Sequence, residues 1–242
     1  MSLVVLSEQA ALLGVQLDAG QLAQFERYRE LLLEWNLRTN LTAIREPDAV
    51  ERRHFVDSLT CLLGMPDFLT LHPTARLLDV GSGGGFPGLP LKIACPDLEL
   101  TLLESVRKKT RFLEQVITEL RVEKVEVVTA RAEDQAQLDL YRDAYDLVVT
   151  RALAPLAVLL ELCLPFLREG GRLVVPRRGD LSTDQAAVSG VVQMLGGRFR
   201  PPIQVKIGED LDGYGLTIVD KVAPTPAKYP RRAGLPVKRP LT

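Results

Sequence analysis

The sequence predicts an α/β fold: a doubly wound, mostly parallel sheet with helices on both faces, preceded by a small helical region. Three observations carry this expectation. From residue 76 onward, short runs rich in Leu and Val alternate with segments of helical period, as strands joined by helical crossovers require. These runs are apolar nearly throughout, not at every second position, which suits strands covered on both faces. The first of them ends in a burst of glycine, "LLDVGSGGGFPG" at residues 77–88, at the strand end where an open α/β sheet holds its ligand.

The elements follow in chain order. Asp18 is placed to cap a helix in which Leu22, Phe25, Tyr28, Leu31, Leu32 and Trp35 recur at three- and four-residue intervals, giving one apolar face. "WNLRTNLTAI" then reads as a polar turn, and Pro47, suited to a first helical position, opens a helix through "DAVERRHFVDSLTCLL". "GMPDFLTLHPT", with two prolines and a glycine, separates an N-terminal helical region at residues 1–65 from the main domain at 66–242. Seven strands are expected: "RLLDV", "ELTLLE", "VEVVT", "YDLVVT", "GRLVVP", "IQVKI" and "LTIVDK". The helices are "LPLKIA", "SVRKKTRFLEQVITEL", "PLAVLLELCLPFL" and "TDQAAVSGVVQML", the last stopped by Gly196 and Gly197. Only "GEDLDGYG" separates the last two strands, too short for a crossover helix, so that pair is expected as an antiparallel hairpin. Residues 222–242 form a basic, proline-rich tail expected to follow an irregular path.

Composition narrows the function classes. The 242 residues are 46% hydrophobic and 25% charged, ordinary globular values. The most apolar stretch, "ALAPLAVLLELCLPFL", is broken by Pro155, Glu161 and Pro165 and falls short of the ~18 uncharged residues of a membrane span. The start "MSLVVLSEQA" has no cationic segment and too short an apolar run for a signal peptide, so a soluble cytoplasmic protein is expected. Cys61, Cys95 and Cys163 lie far apart among apolar neighbours and read as reduced core residues. Neither histidine, His54 or His72, has a Cys or His at ligand spacing, so no metal is expected. The net charge is −1, yet residues 221–242 hold six Lys or Arg and no acid, and Arg107, Lys108, Lys109 and Arg111 form a second basic cluster. Each cluster can be a solvated face; together they can be the footprint for a phosphate backbone.

The glycine run narrows the ligand. Read from Gly83 its letters satisfy G-x-G-x-x-G, a weak signal alone, but the glycine that directly follows the strand is Gly81. Gly81, Gly83 and Gly85 let the backbone pass close beneath a ligand. Glu104, closing the second strand, is placed to accept hydrogen bonds from ribose hydroxyls, as in NAD and S-adenosylmethionine sites alike. Asp79 separates the two: it opposes a pyrophosphate and suits a ligand with sulfonium and ammonium groups, whether by contact or by ordering the loop. The plainer reading is a capping carboxylate that touches no ligand. S-adenosyl-L-methionine is therefore the expected cofactor. Glu133 in "ARAED" is offered to the adenine side, and Arg151 after "YDLVVT" to the cofactor's carboxylate or simply to solvent.

With these residues in view, the chain closely resembles the bacterial RsmG family, also called glucose-inhibited division protein B, of 16S ribosomal RNA guanine-N7 methyltransferases. The matching stretches are "WNLRTNLTAI", "HFVDSL", "LLDVGSGGGFPGLPLKI", "RKKTRFL", "ARAED", "RALAPL" and "APTPAKYPRRAGLPVKRPL", spread over nearly the whole chain. The resemblance implies a seven-stranded S-adenosylmethionine-dependent methyltransferase (Rossmann-like) fold with the final hairpin. It implies cofactor contacts at Gly81, Phe86, Glu104, Ser105, Val106, Ala132, Glu133 and Arg151, and as substrate one guanine of 16S ribosomal RNA, free or in the small ribosomal subunit. The chain departs from the family in one place: Arg178 stands before Gly179 where the family has Lys-Gly, and an arginine does not give up its proton.

Guanine N7 has an in-plane lone pair and no hydrogen, so no dedicated acid or base residue is expected, only alignment and exclusion of water. His54 and Asp57, three residues apart, read as a structural contact between the helical region and the main domain. Arg177, Arg178, Arg231 and Arg232 are candidate phosphate contacts, weighed against a reading as exposed basic residues. The RNA is expected single-stranded or looped, with its base turned outward. Three rivals stand beside this reading: a dehydrogenase, a methyltransferase for another RNA or a small molecule, and a non-catalytic ribosome-associated module. Asp79 speaks against the first, the basic tail against the second, and Glu104 with Arg151 against the third. Nothing in the sequence specifies an oligomeric state.

Overall fold

The computed structural model describes residues 3–65, 69–70, 72, 74–151, 154–206 and 213–242. At its centre lies one sheet of strands β1 Arg76–Val80, β2 Glu99–Glu104, β3 Val125–Thr129, β4 Tyr145–Val149, β5 Leu167–Arg178, β6 Gly197–Phe199, β7 Ile203–Gln204 and β8 Tyr214–Lys221. The spatial order is β3-β2-β1-β4-β5-β8-β6, with β7 also paired to β8. Pairings among β1 to β5 are parallel, and β8 is antiparallel to β5, β6 and β7. This is the expected doubly wound sheet with an antiparallel C-terminal edge. The order reverses between β1 and β4, so a crevice opens beyond their carboxyl ends.

The edge differs in detail from the sequence reading. "IQVKI" contributes only Ile203–Gln204, and Gly197–Phe199 supplies a further segment of pairing to β8. Gly196, at φ +82°, turns the chain out of the preceding helix, while Gly197 already belongs to the strand. A Cβ on Gly197 would lie 2.7 Å from Val219 Cγ1, so glycine here permits tight packing on β8 and does not serve as a helix stop. Pro201 and Pro202, which cannot donate to a ladder, separate the two short segments. Residues 207–212 between β7 and β8 lie outside the described residues, as do 152–153 of "RALAPL" and part of "GMPDFLTLHPT".

Alternate strand residues feed two cores. Leu77, Leu100, Leu102, Leu147, Val149 and Val174 face one cluster, while Leu78, Val80, Leu103, Val148, Leu173 and Val175 face the other. The N-terminal region belongs to the first. Its helix Ala19–Thr39 starts with a reciprocal capping box between Asp18 and Gln21, a device worth about 1 kcal/mol. Gln21 Nε2 also donates to Ile93 O at 2.8 Å and Gln24 Nε2 to Leu120 O at 2.9 Å, so this helix satisfies carbonyls near the C-terminal ends of two main-domain helices, Gly88–Ala94 and Arg107–Leu120. Trp35 adds a hydrogen bond to Gln115 Oε1 at 3.0 Å and a ring contact with Phe112. Residues 47–64 continue as one helical run that begins α-helical at Pro47–Val50, widens to a π turn at Glu51–Val56 and tightens to 3-10 geometry at Thr60–Gly64.

The tail is irregular apart from the short helix Leu235–Lys238, but it is fastened. Lys221, 1% exposed, donates to Leu164 O and Thr225 Oγ1, and burial lowers its pKa to about 8. Arg142 donates to Thr225 O at 2.7 Å and Tyr229 O at 3.0 Å. Among the described residues no helix is long and apolar enough to cross a membrane.

Candidate active site

The chain after β1 builds the floor of the main cavity, which measures about 550 Å³, within the ordinary ~300–1,000 Å³ range of ligand sites. Gly81 and Ser82 both donate to Leu103 O, so the loop stays pinned to the end of β2 as it turns. Gly83, at φ +57°, presents a bare backbone to the cavity: a Cβ there would meet nothing closer than Gly81 O at 3.8 Å. Gly85 serves a different end. Its φ is +93°, and a Cβ would overlap the Tyr28 hydroxyl and lie 2.6 Å from Leu89 Cδ1. Its bareness makes room for the N-terminal helix, not for a ligand, which corrects the expectation that all three glycines lie beneath one.

Asp79 is fully buried and does not line the cavity. Its Oδ2 accepts from Gly88 N at 2.9 Å, and burial pushes its pKa up to about 7. The capping alternative is thus the one observed: Asp79 shapes the loop from beneath. Glu104 does line the cavity. Its Oε2 accepts from Gly83 N at 3.0 Å and its Oε1 from Val106 N at 2.8 Å. Each carboxylate oxygen can accept more than once, so a vicinal diol still finds two acceptors there. Ser105, Val106, Ala132 and Glu133 line it too, as does Val237 of the tail. The Glu133 carboxylate turns to the tail, accepting from Gly234 N at 2.8 Å.

Phe86 and Arg151 form the other end. Phe86, 5% exposed, is stacked between Tyr28, at 5.4 Å and 13°, and His54, at 4.4 Å and 19°. Arg151 lies over the Phe86 ring at 5.0 Å. Its Nη1 donates to Asp57 Oδ2 at 2.6 Å and to Arg53 O at 3.1 Å, and its Nη2 to His54 Nδ1 at 2.9 Å. His54 and Asp57 therefore meet at Arg151 and join the π turn to the end of β4. Burial, then the neighbouring guanidinium, lowers the His54 pKa to about 3; burial raises that of Asp57 against the pull of Arg151.

A side cavity of about 220 Å³ shares Arg151 with the main one and runs past Ala154 to Arg177, Arg178 and Tyr214. The Arg178 guanidinium lies 4.5 Å from the Tyr214 ring centroid. Of the four candidate RNA contacts, Arg178 and Arg232 are exposed. Arg177 donates to Asp184 Oδ2 at 3.1 Å. Arg231 departs from the picture of an exposed basic residue: its backbone N, Nε and Nη2 all donate to the buried Glu161, at 2.8, 2.8 and 2.6 Å.

The family model described as rRNA small subunit methyltransferase G matches residues 21–197. A protein of Dehalococcoides mccartyi named Ribosomal RNA small subunit methyltransferase G is 45% identical over 229 residues, covering 95% of each chain. One of the same name from Alkaliphilus oremlandii is 40% identical over 237 residues, covering 98% of each. The chain belongs to the rRNA small subunit methyltransferase G family. Among solved structures, a mutant of MtNAS aligns with a TM-score of 0.52 at 17% identity, over 81% of this chain and 71% of that one. The CurJ carbon methyltransferase aligns at 0.50 and 17%, over 72% and 56%. At such identities the likeness is one of fold.

S-adenosylmethionine is the cofactor of the family, and the main cavity suits it: a diol acceptor in Glu104, a bare loop at Gly83, and an aromatic wall at Phe86. Reasoning from the sequence missed several residues that line the two cavities, Thr42, Tyr214 and Val237 among them. Thr42 and Val237 lie within quoted stretches, "NLTAI" and "LPVKRPL", without a residue type that announces chemistry. Tyr214 reaches the site only because β8 pairs antiparallel with β5 and sets it opposite Arg178.

Proposed function

We propose that this chain methylates N7 of one guanine in 16S ribosomal RNA, in the cytoplasm, without a general base. Methylation of small-subunit rRNA follows from the family; the side cavity supports the finer reading. Its polar lining is Arg151, Arg177, Arg178 and Tyr214, and no carboxylate, imidazole or amine lines it among the described residues. When bound, S-adenosylmethionine supplies an electrophilic methyl group on sulfur, and a purine N7 can accept it without losing a proton.

The titratable groups closest to this junction already have other tasks. His54 Nδ1 accepts from Arg151 and is no free base, Asp57 holds the same guanidinium, and Asp79 lies outside the cavity. What the residues supply is position. Arg178, held over the Tyr214 ring, brings N–H donors to the side cavity, and donation to O6 leaves N7 open. Gly83, Phe86 and Glu104 fix the cofactor, and Arg178 and Arg232 meet phosphates of an extruded nucleotide.

The test is incubation of the enzyme with small subunits that lack the modification, followed by chemical cleavage at 7-methylguanosine and mass spectrometry. One N7-methylated guanine is expected; methylation at N1, N2 or a pyrimidine overturns the assignment. Single-turnover rates flat from about pH 6.5 to 8.5 are expected of base-free transfer, and a rate that rises through a neutral pKa refutes that part.

A further inference from the structure

Thr42 lines the main cavity and touches His54, which stacks on Phe86 and bonds Arg151, so it lies at their end of it. Its hydroxyl ends a chain of hydrogen bonds whose direction is fixed. A guanidinium has only donors, so His54 Nδ1, 2.9 Å from Arg151 Nη2, carries no hydrogen. The imidazole proton is then on Nε2, which lies 2.7 Å from Thr42 Oγ1 and donates to it. Ile44 N donates to the same oxygen at 3.0 Å. Both lone pairs of the hydroxyl are occupied, so Thr42 can only give its own proton onward, and no acceptor takes it among the described residues. The backbone is held in place as well: Thr42 N donates to Asn36 Oδ1 at 3.0 Å, and Asn36 Nδ2 to Thr42 O at 2.8 Å. Burial keeps His54 neutral, which preserves this polarity.

We propose that the Thr42 hydroxyl, beside Arg151, donates to the carboxylate of the methionine portion of S-adenosylmethionine. The assignment rests on the reading that this cavity holds the cofactor with its ribose on Glu104. A hydroxyl that can give a proton but not receive one discriminates between the two charged groups at that end of the ligand: it accepts nothing from an ammonium and suits a carboxylate. The "NLTAI" segment of the helical region thereby recognises the amino-acid end of the cofactor, while the main domain recognises the nucleoside.

Calorimetry with the full chain tests this, using S-adenosylhomocysteine and its decarboxylated analogue. Wild type is expected to bind the carboxylate-bearing ligand at least tenfold more tightly. Thr42→Val weakens that ligand about tenfold, as loss of a hydrogen bond to a charged group does, and leaves the decarboxylated one within twofold. Thr42→Ser restores wild-type behaviour. Equal weakening of both ligands assigns Thr42 a structural role and overturns the proposal. So does wild type that fails to distinguish the ligands, or a variant altered only in KM for rRNA. If wild type binds neither ligand, the cofactor reading itself falls, a separate outcome.

Discussion

Arg231→Ala separates two roles for the basic tail. The Glu161 side chain is fully buried, while the Arg231 side chain keeps 22% of its surface in water. Three hydrogen bonds of 2.6–2.8 Å join them, two from the guanidinium and one from the backbone. Removing one partner of a buried pair costs about 3–5 kcal/mol because the other charge is left uncompensated; the partial exposure of Arg231 places this case near 3 kcal/mol. For a chain of this size that corresponds to a fall in Tm of roughly 6–12 °C. The same change frees the segment that carries Gly234, bonded to Glu133, and Val237, which lines the cavity, so affinity for S-adenosylmethionine drops as well. Glu161→Gln combined with Arg231→Met keeps an acceptor for the backbone N–H and removes both charges, and recovers stability to within about 1 kcal/mol of wild type. Thermal unfolding, calorimetry with the cofactor and rRNA binding across salt concentrations are the assays. A Tm lowered by less than about 2 °C, together with a salt slope reduced by about 0.7, would refute the clasp and return Arg231 to the phosphate contacts.

Other perturbations probe the remaining groups. His54 has a folded pKa of about 3 against an ordinary 6.5, so the unfolded chain takes up a proton first as pH falls. Its contribution is complete above pH 6.5 and is lost on acidification, on the order of 2 kcal/mol at pH 5. Wild type is therefore expected to lose that much more stability than His54→Gln between pH 7 and pH 5 in urea unfolding, and parallel pH profiles would contradict it. Glu104→Ala removes the acceptors for the ribose diol and weakens cofactor binding on the order of 100-fold, with circular dichroism unchanged; a change under threefold would exclude the carboxylate from the site. Arg178→Ala with Arg232→Ala lowers the salt slope of rRNA binding by about 1.4, two contacts at ~0.7 each for single strands. An unaltered slope would remove both from the RNA surface.

The sheet was legible because its strands are apolar on both faces and its crossovers are amphipathic, so both features repeat along the chain. The ends of elements were less so. Gly197 reads as a helix stop by composition, and only the position of Val219 across the ladder shows why it belongs to a strand. That Glu104 and "ARAED" line the main cavity was legible, since the first closes β2 and the second follows the end of β3. The other end was legible in Arg151 and in the His54–Asp57 contact that meets it, but not in Thr42 and Tyr214, which reach the cavities from a turn and an antiparallel edge. Sequence spacing carries no information about which of these will meet. Asp79 reads from the sequence as facing a ligand, whereas its buried carboxylate holds Gly88 N and the loop from beneath.

Arg151 explains why the helical region and the main domain must come together for the site to exist. It lines both cavities, covers Phe86, and binds Arg53 and His54 of the π turn and Asp57 just after it. A lysine could supply the charge but not the planar fork that reaches a carboxylate oxygen and an imidazole nitrogen at once. That fork also sets the His54 tautomer, and through it the direction of the Thr42 hydroxyl. If residues 47–64 moved from the main domain, Arg151 would lose its orientation, the Phe86 wall would lose His54, and Thr42 would lose its partner together. Cofactor affinity should therefore respond to Asp57→Asn, which leaves every cavity-lining residue in place. Asparagine offers the Arg151 N–H only a neutral acceptor, so the fork is held less firmly than by the carboxylate. A several-fold loss of affinity for S-adenosylhomocysteine, with binding of the decarboxylated analogue much less affected, is the expected signature of an orienting role; tighter binding of S-adenosylhomocysteine would show that Asp57 acts only by offsetting the guanidinium charge and refute that role.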